Sequence, residues 1–192
     1  MEQLLQLIEG CIGNDPKCQK VFYEKYLGFV LKTVYRYVSS YESAAEASND
    51  AFVKIFRSFN NFEYRQADNP EMLLFAWMRR ISINTAIDYL RVNQARKRYH
   101  AVESLNETGN DAGTESSDNK LLYNELIELI RRLSPSYRTV FNMYVIDGYT
   151  HQEIANILGI SVGTSKSNLA RARAFLQKYL VKDSEDNVLC FT

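Results

Sequence analysis

The segment THQEIANILGIS, Thr150 to Ser161, leaves its backbone few choices. Thr150 followed three residues later by Glu153 is a capping box, in which the hydroxyl accepts from the Glu153 amide and the carboxylate reaches back. Ile154, Ala155 and Leu158 then recur at helical spacing. Gly159 supplies a left-handed turn residue, and Ser161 caps a further helix. Two helices joined by Leu158-Gly159-Ile160 have helix-turn-helix spacing.

The second of these helices has two faces. Val162, Leu169, Ala172 and Leu176 fall at helical offsets on one side and are expected to pack inward. Lys166, Ser167, Ala170, Arg171 and Arg173 lie largely on the others. Small side chains such as Ser167 and Ala170 let a helix backbone approach base edges, while Lys and Arg reach guanine acceptors or phosphates. The plainer reading is an ordinary basic C-terminal helix, since cations there also suit the helix dipole.

Charge sharpens the choice. Lys plus Arg and Asp plus Glu are 23 each, a net charge of zero that by itself argues against nucleic acid. The average hides a pattern. Ser161 to Lys182 holds Lys166, Arg171, Arg173, Lys178 and Lys182 and no acid. Ser104 to Asn119 holds Glu107, Asp111, Glu115 and Asp118 and no base. Local sign decides what a surface attracts.

That acidic segment, SLNETGNDAGTESSDN, has one leucine and no aromatic residue. It cannot bury enough apolar surface to offset its ordering entropy, and reads as a flexible linker. The rest of the chain lacks sustained period-two alternation and reads as helix nearly throughout. A short helix is expected over Glu2 to Glu9. Asn14-Asp15-Pro16 opens a long one whose apolar face is Phe22, Tyr26, Phe29, Val30, Val34, Tyr37 and Val38. Ser43 is read as the cap of a third, with Ala47, Ala51, Phe52, Ile55 and Phe56 inward. Asn60 to Asn69 reads as a loop, and Asn69-Pro70 opens a helix to Arg91 or beyond. After the linker, a helix over Leu121 to Arg132 precedes one begun by Ser134-Pro135, with Val140, Phe141, Tyr144 and Val145 facing inward and Asp147-Gly148 ending it. The expected fold class is all-α, with two small helical domains joined by a flexible linker: residues 1–95, linker 96–120, a helix-turn-helix domain 121–182 and a tail 183–192.

The helix after Pro70 carries a second constellation. Trp77, Ile81, Asn84, Asp88 and Arg91 form one stripe, with Arg79 and Arg80 beside Trp77. An exposed aromatic next to arginines is what unstacked bases bind. The plainer alternative makes Trp77 core and Asn84 and Asp88 a hydrogen-bonded pair, and the residues alone leave both open.

With both constellations in hand, the sequence resembles a bacterial RNA polymerase sigma factor of the small, two-domain extracytoplasmic-function group. FYEKYLGFVLKTVYRYV, AAEASNDAFVKIF and FAWMRRISINTAIDYLR resemble that family's N-terminal helices. LSPSYRTVFNMYVIDGYTHQEIANILGISVGTSKSNLARAR resembles its upstream-element-binding domain. The most specific parts are the Trp77–Asn84–Asp88 stripe and GISVGTSKSNLARAR, in that order across a linker.

The resemblance implies that the N-terminal domain binds the melted downstream element through Trp77, Arg80, Asn84 and Asp88. It further implies that Asn60, Asn61, Phe62 or Tyr64 lines a pocket for a base flipped from the non-template strand. Capturing that base offsets its unstacking, so melting needs no ATP. It implies docking of residues 44–59 on the clamp helices of the largest polymerase subunit through Glu46, Asn49, Asp50 and Lys54. Here the sequence departs from the family, with Ser43, Ala45 and Ala47 where acids are usual. In the last helix Lys166, Ser167, Ala170 and Arg171 are placed near bases, and Thr164, Asn168 and Arg173 on phosphates. The acidic linker is expected to thread the RNA exit path in imitation of RNA.

The implied partners are core polymerase (clamp helices and flap), promoter DNA and, as a further class, an anti-sigma factor. No catalytic residue, metal or cofactor is expected. Cys11, Cys18 and Cys190 are scattered and read as reduced thiols, and His100 and His151 stand alone. No apolar run spans a membrane and MEQLLQLIEG is no secretory signal, so the expected location is the cytoplasm. Two competing readings are a stand-alone helix-turn-helix regulator with an N-terminal sensing domain, and a metal-dependent nuclease using Glu46, Asp50 or Asp88. The first leaves Asn84 and Asp88 unexplained; the second lacks a metal cluster or activated nucleophile.

Overall fold

The structure, a computed structural model, describes residues 2–62, 69–100 and 118–188, with side chains over 3–62, 69–93 and 125–179. Tyr64, residues 101–117 of the segment read as linker, and the last four residues of the tail lie outside the described residues. The helices are α1 (Glu2–Ile12), α2 (Pro16–Tyr35), α3 (Tyr41–Ser58), α4 (Pro70–His100), α5 (Asp118–Arg131), α6 (Pro135–Phe141), α7 (His151–Leu158) and α8 (Val162–Val188). No strand occurs among the described residues. The chain divides into two compact units, Met1–Asp111 and Ala112–Thr192.

In the first unit α1 and α2 form a tight hairpin. The Asp15 amide donates to the Gly10 carbonyl at 2.9 Å and the Asn14 amide to Cys11 at 3.1 Å. This doubly bonded helix end needs a left-handed residue, and Asn14 supplies it with φ 56°. Asp15 then caps α2 by accepting from the Lys17 amide at 2.9 Å, with Pro16 next. That backbone bond, followed by the Cys18 thiol, holds the Asp15 carboxyl below its ordinary range. Cys18 Sγ packs onto Gly10 so closely that no Cβ fits there. Cys11 and Cys18, which look scattered in sequence, therefore meet at this turn, and burial pushes the Cys11 thiol up to about 12.

The cap of α3 is Ser40, one turn earlier than the expected Ser43. Ser40 Oγ accepts from the Ser43 amide at 3.2 Å, which places Ser43 inside the first turn. The core is aromatic. Phe22 lies 4.6 Å from Tyr26 and 5.0 Å from Phe59, measured between ring centroids. Phe75 of α4 meets Tyr26 at 5.7 Å and Phe29 at 4.8 Å. Each such pair is worth about 0.5–1.5 kcal/mol beyond the area it buries.

In the second unit α6 and α7 pack on α8. The expected inward set of α6 needs correction: Val140 is fully buried, but Tyr144 and Val145 are 37% and 48% exposed, and Met143 is buried in their place. The cause is a wide turn over Asn142–Ile146, where the Asp147 amide reaches back five residues to the Asn142 carbonyl at 2.9 Å. One extra residue in a turn rotates the following side chains away from the face that a regular helix would present. Arg138, only 4% exposed, donates from Nη1 to the Arg131 carbonyl at 3.0 Å and so caps the end of α5. Burial, with Arg131 adding to it, lowers the Arg138 guanidinium to about 10, so it stays charged at neutral pH. Among the described residues no helix is long and apolar enough to cross a membrane.

Candidate nucleic-acid interfaces

The stripe on α4 emerges gradually from the core. Trp77 is half-buried, and its ring lies 5.3 Å from Phe59 and 5.2 Å from Phe62. It is a packed ring that keeps part of its surface exposed. Phe62 is itself 8% exposed, so its ring is a wall of this cluster. Asn60 and Asn61 are exposed on the short 3₁₀ turn Phe59–Asn61. Farther along α4, Arg80, Asn84 and Asp88 are all exposed.

Asp88 does not pair with Asn84. Its Oδ2 accepts from Lys54 Nζ of α3 at 2.9 Å, and Arg91 lies 3.7 Å from its other oxygen. At the next residue, Tyr89 Oη donates to Glu46 Oε2 at 2.9 Å. Glu46, Asp50 and Lys54 thus face α4 across an open groove of about 330 Å³. Residues assigned by resemblance to polymerase and to melted DNA meet along one seam. Asn49 is the exception: it accepts from Tyr23 Oη of α2 at 3.1 Å, away from that groove. Lys54 and Arg57 also flank Asn84 and Ile81. Arg57 continues the α3 stripe at i+3 from Lys54, the spacing that would have revealed it.

In the second unit each local signal takes a defined geometry. The Glu153 amide donates to Thr150 Oγ1 at 3.3 Å, while the Thr150 amide donates to Glu153 Oε2 at 2.8 Å. Gly159 adopts φ 66° and closes α7. Ser161 Oγ accepts from the Thr164 amide at 3.0 Å and caps α8, and it also engages the Thr164 hydroxyl at 2.9 Å.

On α8, Ser165, Leu169, Ala172 and Leu176 are buried at 0%, 4%, 0% and 6% exposure, and Val162 only half so. With roughly 3.6 residues per turn, the opposite crest is Gly163, Ser167, Ala170 and Ala174, all exposed. This crest has only small side chains. Lys166 and Arg173 flank it on one side, Arg171 on the other. Thr164 is exposed and Asn168 half-buried.

Both flanks are tied to neighbouring helices. His151 Nδ1 lies 2.9 Å from Ser165 Oγ, and the His151 ring stacks on Tyr144 at 4.4 Å. The Arg173 guanidinium lies over that same tyrosine, 5.9 Å from its centroid. Burial, then Lys166 and Arg173, hold the His151 imidazole below its ordinary value. On the other flank, Arg171 Nη1 donates to Tyr137 Oη of α6 at 3.2 Å. Sequence reasoning missed His151, Ser165 and Tyr137, because each acts through a neighbour remote in the chain. Among the described residues, no three of His, Cys, Asp and Glu gather to hold a metal.

Comparison with known proteins adds independent findings. Residues 22–96 match the family model described as Sigma-70 region 2, and residues 123–176 match Sigma-70, region 4. The chain is 30% identical to the ECF RNA polymerase sigma-E factor of Escherichia coli strain K12, across 87% of this chain and 88% of that protein. It is 27% identical to the RNA polymerase sigma-H factor of Pseudomonas aeruginosa, across 93% and 94%. In fold it is similar to the sigma factor RpoE of Bartonella quintana, solved in complex with the anti-sigma factor NepR. That likeness has a TM-score of 0.52 at 23% identity, covering 84% of this chain and 97% of that one.

Proposed function

The chain belongs to the extracytoplasmic-function group of the sigma-70 family, and from that premise we propose how its two units divide a sigma factor's work. As a sigma factor it directs core RNA polymerase to promoters. The family matches fall on both units, which disfavours the reading as a stand-alone regulator.

In this proposal the second unit lays the α8 crest in the major groove of the upstream element. Ser167 and Ala170 approach base edges, Lys166 and Arg171 supply direct contacts, and Thr164, Asn168 and Arg173 hold phosphates. The first unit holds the melted element along α4. Asn84 and Arg80, with Lys54 and Arg57 across the groove, attract the displaced strand, and the 3₁₀ turn with Asn60 and Asn61 receives a flipped base. The packed Phe59–Trp77–Phe62 cluster gives a rigid wall at the edge of the opening duplex. Glu46 and Asp50 remain the acids offered to polymerase. We place the protein in the cytoplasm, assign it no catalytic step, and include an anti-sigma factor among its partners.

The observation that most supports this division is the α8 crest: small residues only, basic on both flanks, on a helix capped at Ser161. The test is transcription with core polymerase in vitro. Arg171→Ala should weaken use of the upstream element and leave core binding intact, while Asn84→Ala should reduce permanganate reactivity of melted thymines. Loss of core binding with Arg171→Ala would show that α8 has been misassigned.

A further inference from the structure

We propose that Tyr137 is a positioning residue that aims Arg171 at the upstream element, resting on the reading of α8 as the recognition helix. Tyr137 stands in the first turn of α6, two residues after Pro135. Tyr137 is half-buried, so packing against part of the side chain restricts where the phenol oxygen sits. That oxygen accepts from Arg171 Nη1 at 3.2 Å, across 34 residues of sequence. Arg171 is otherwise exposed on the flank of the crest.

The consequence follows from the shape of the guanidinium. Its five N–H donors form a rigid planar fork, so fixing one donor restricts the direction of the rest. One N–H is committed to the phenol, and on this exposed side chain the remaining donors are left for DNA. A bidentate contact to guanine O6 and N7 needs such a defined fork. A side chain already restrained has less rotamer freedom to lose on docking. Lys166 on the opposite flank is a point charge that suits less directional contacts. Tyr137 therefore sharpens discrimination between bases and adds little to attraction for DNA in general.

The geometry also defines the opposite possibility: the phenol could hold Arg171 away from the bases. The experiment separates the two. Full-length protein carrying Tyr137→Phe, Arg171→Ala or both is assembled with core polymerase and assayed on promoters with each upstream base pair varied in turn. Tyr137→Phe removes one oxygen and keeps the ring, and a thermal melt checks that the second unit remains folded; Tyr137→Met repeats the test in a second background. Discrimination should fall about two- to tenfold, the range for one net hydrogen bond, at the base pairs where Arg171→Ala loses it and nowhere else. The double variant should be no worse than Arg171→Ala alone.

A merely structural tyrosine would weaken every upstream base pair evenly, and that result overturns the inference. So does unchanged or sharper discrimination with Tyr137→Phe when Arg171→Ala is defective. If Arg171→Ala itself has no effect, the assignment of α8 fails as well, and that failure is distinct.

Discussion

Removing the Phe62 ring offers a quantitative test of the aromatic wall beside the melted-strand groove. Phe62 is 8% exposed and lies 5.2 Å from Trp77. Burying a phenylalanine side chain is worth ~1.5–3 kcal/mol, and the ring pair adds about 0.5–1.5 kcal/mol. Exposed Asn60 and Asn61 lie beside it, so water refills part of the vacancy. The lower half of the sum applies, and Phe62→Ala should cost about 2–3 kcal/mol. A unit of this size carries roughly 5–15 kcal/mol, so it stays folded. With a typical urea dependence, the midpoint falls by about 1–2 M. Trp77 is the chain's only tryptophan, so its fluorescence follows this unit alone. Its emission should shift to the red and quench more readily with acrylamide. An unchanged midpoint with unchanged emission would refute the packing described, and would free Phe62 as a stacking platform for a flipped base.

Three further outcomes test the second unit. Thr150→Ala removes the capping box and should cost about 1 kcal/mol, read as faster hydrogen exchange at the α7 amides. Met143→Ala should cost about 2–5 kcal/mol, while Val145→Ser should stay within about 0.5 kcal/mol, in thermal melts; the reverse order would restore a regular helix through that turn. For His151 the folded value lies below that of the unfolded chain, about 6.5, so its contribution is full above that pH and is lost as pH falls through the folded value. The groups facing it are Tyr144, Ser165, Lys166 and Arg173. His151→Gln should flatten the dependence of the melting temperature between pH 8 and about pH 5, and an unaltered slope would assign it to another group.

Much of the fold was legible because its signals are local. Thr150 with Glu153, Gly159 and Ser161 occupy the geometry their chemistry demands, and so does Asp15-Pro16, while Pro135 opens α6 without a side-chain cap from Ser134. Ser43 misled because Ser40 offers the same hydroxyl one turn earlier, and spacing alone does not choose between them. Tyr144 and Val145 were misplaced because a wide turn changes the period within a single helix-like run. For the candidate sites, the composition of each face was readable and the partners were not. Nothing near Asp88 in sequence announces Lys54, 34 residues away, and nothing near Arg171 announces Tyr137. Those contacts depend on which helix packs beside which, a property of the core.

The most direct measurement of the two-grip account is run-off transcription with core polymerase on a genomic promoter library, mapping start sites. Promoter-specific starts above core polymerase alone are expected. Arg171→Ala should cost starts that depend on the upstream element, and Asn84→Ala should slow opening at all of them. No specific start above core alone, or identical losses from both substitutions, would contradict it.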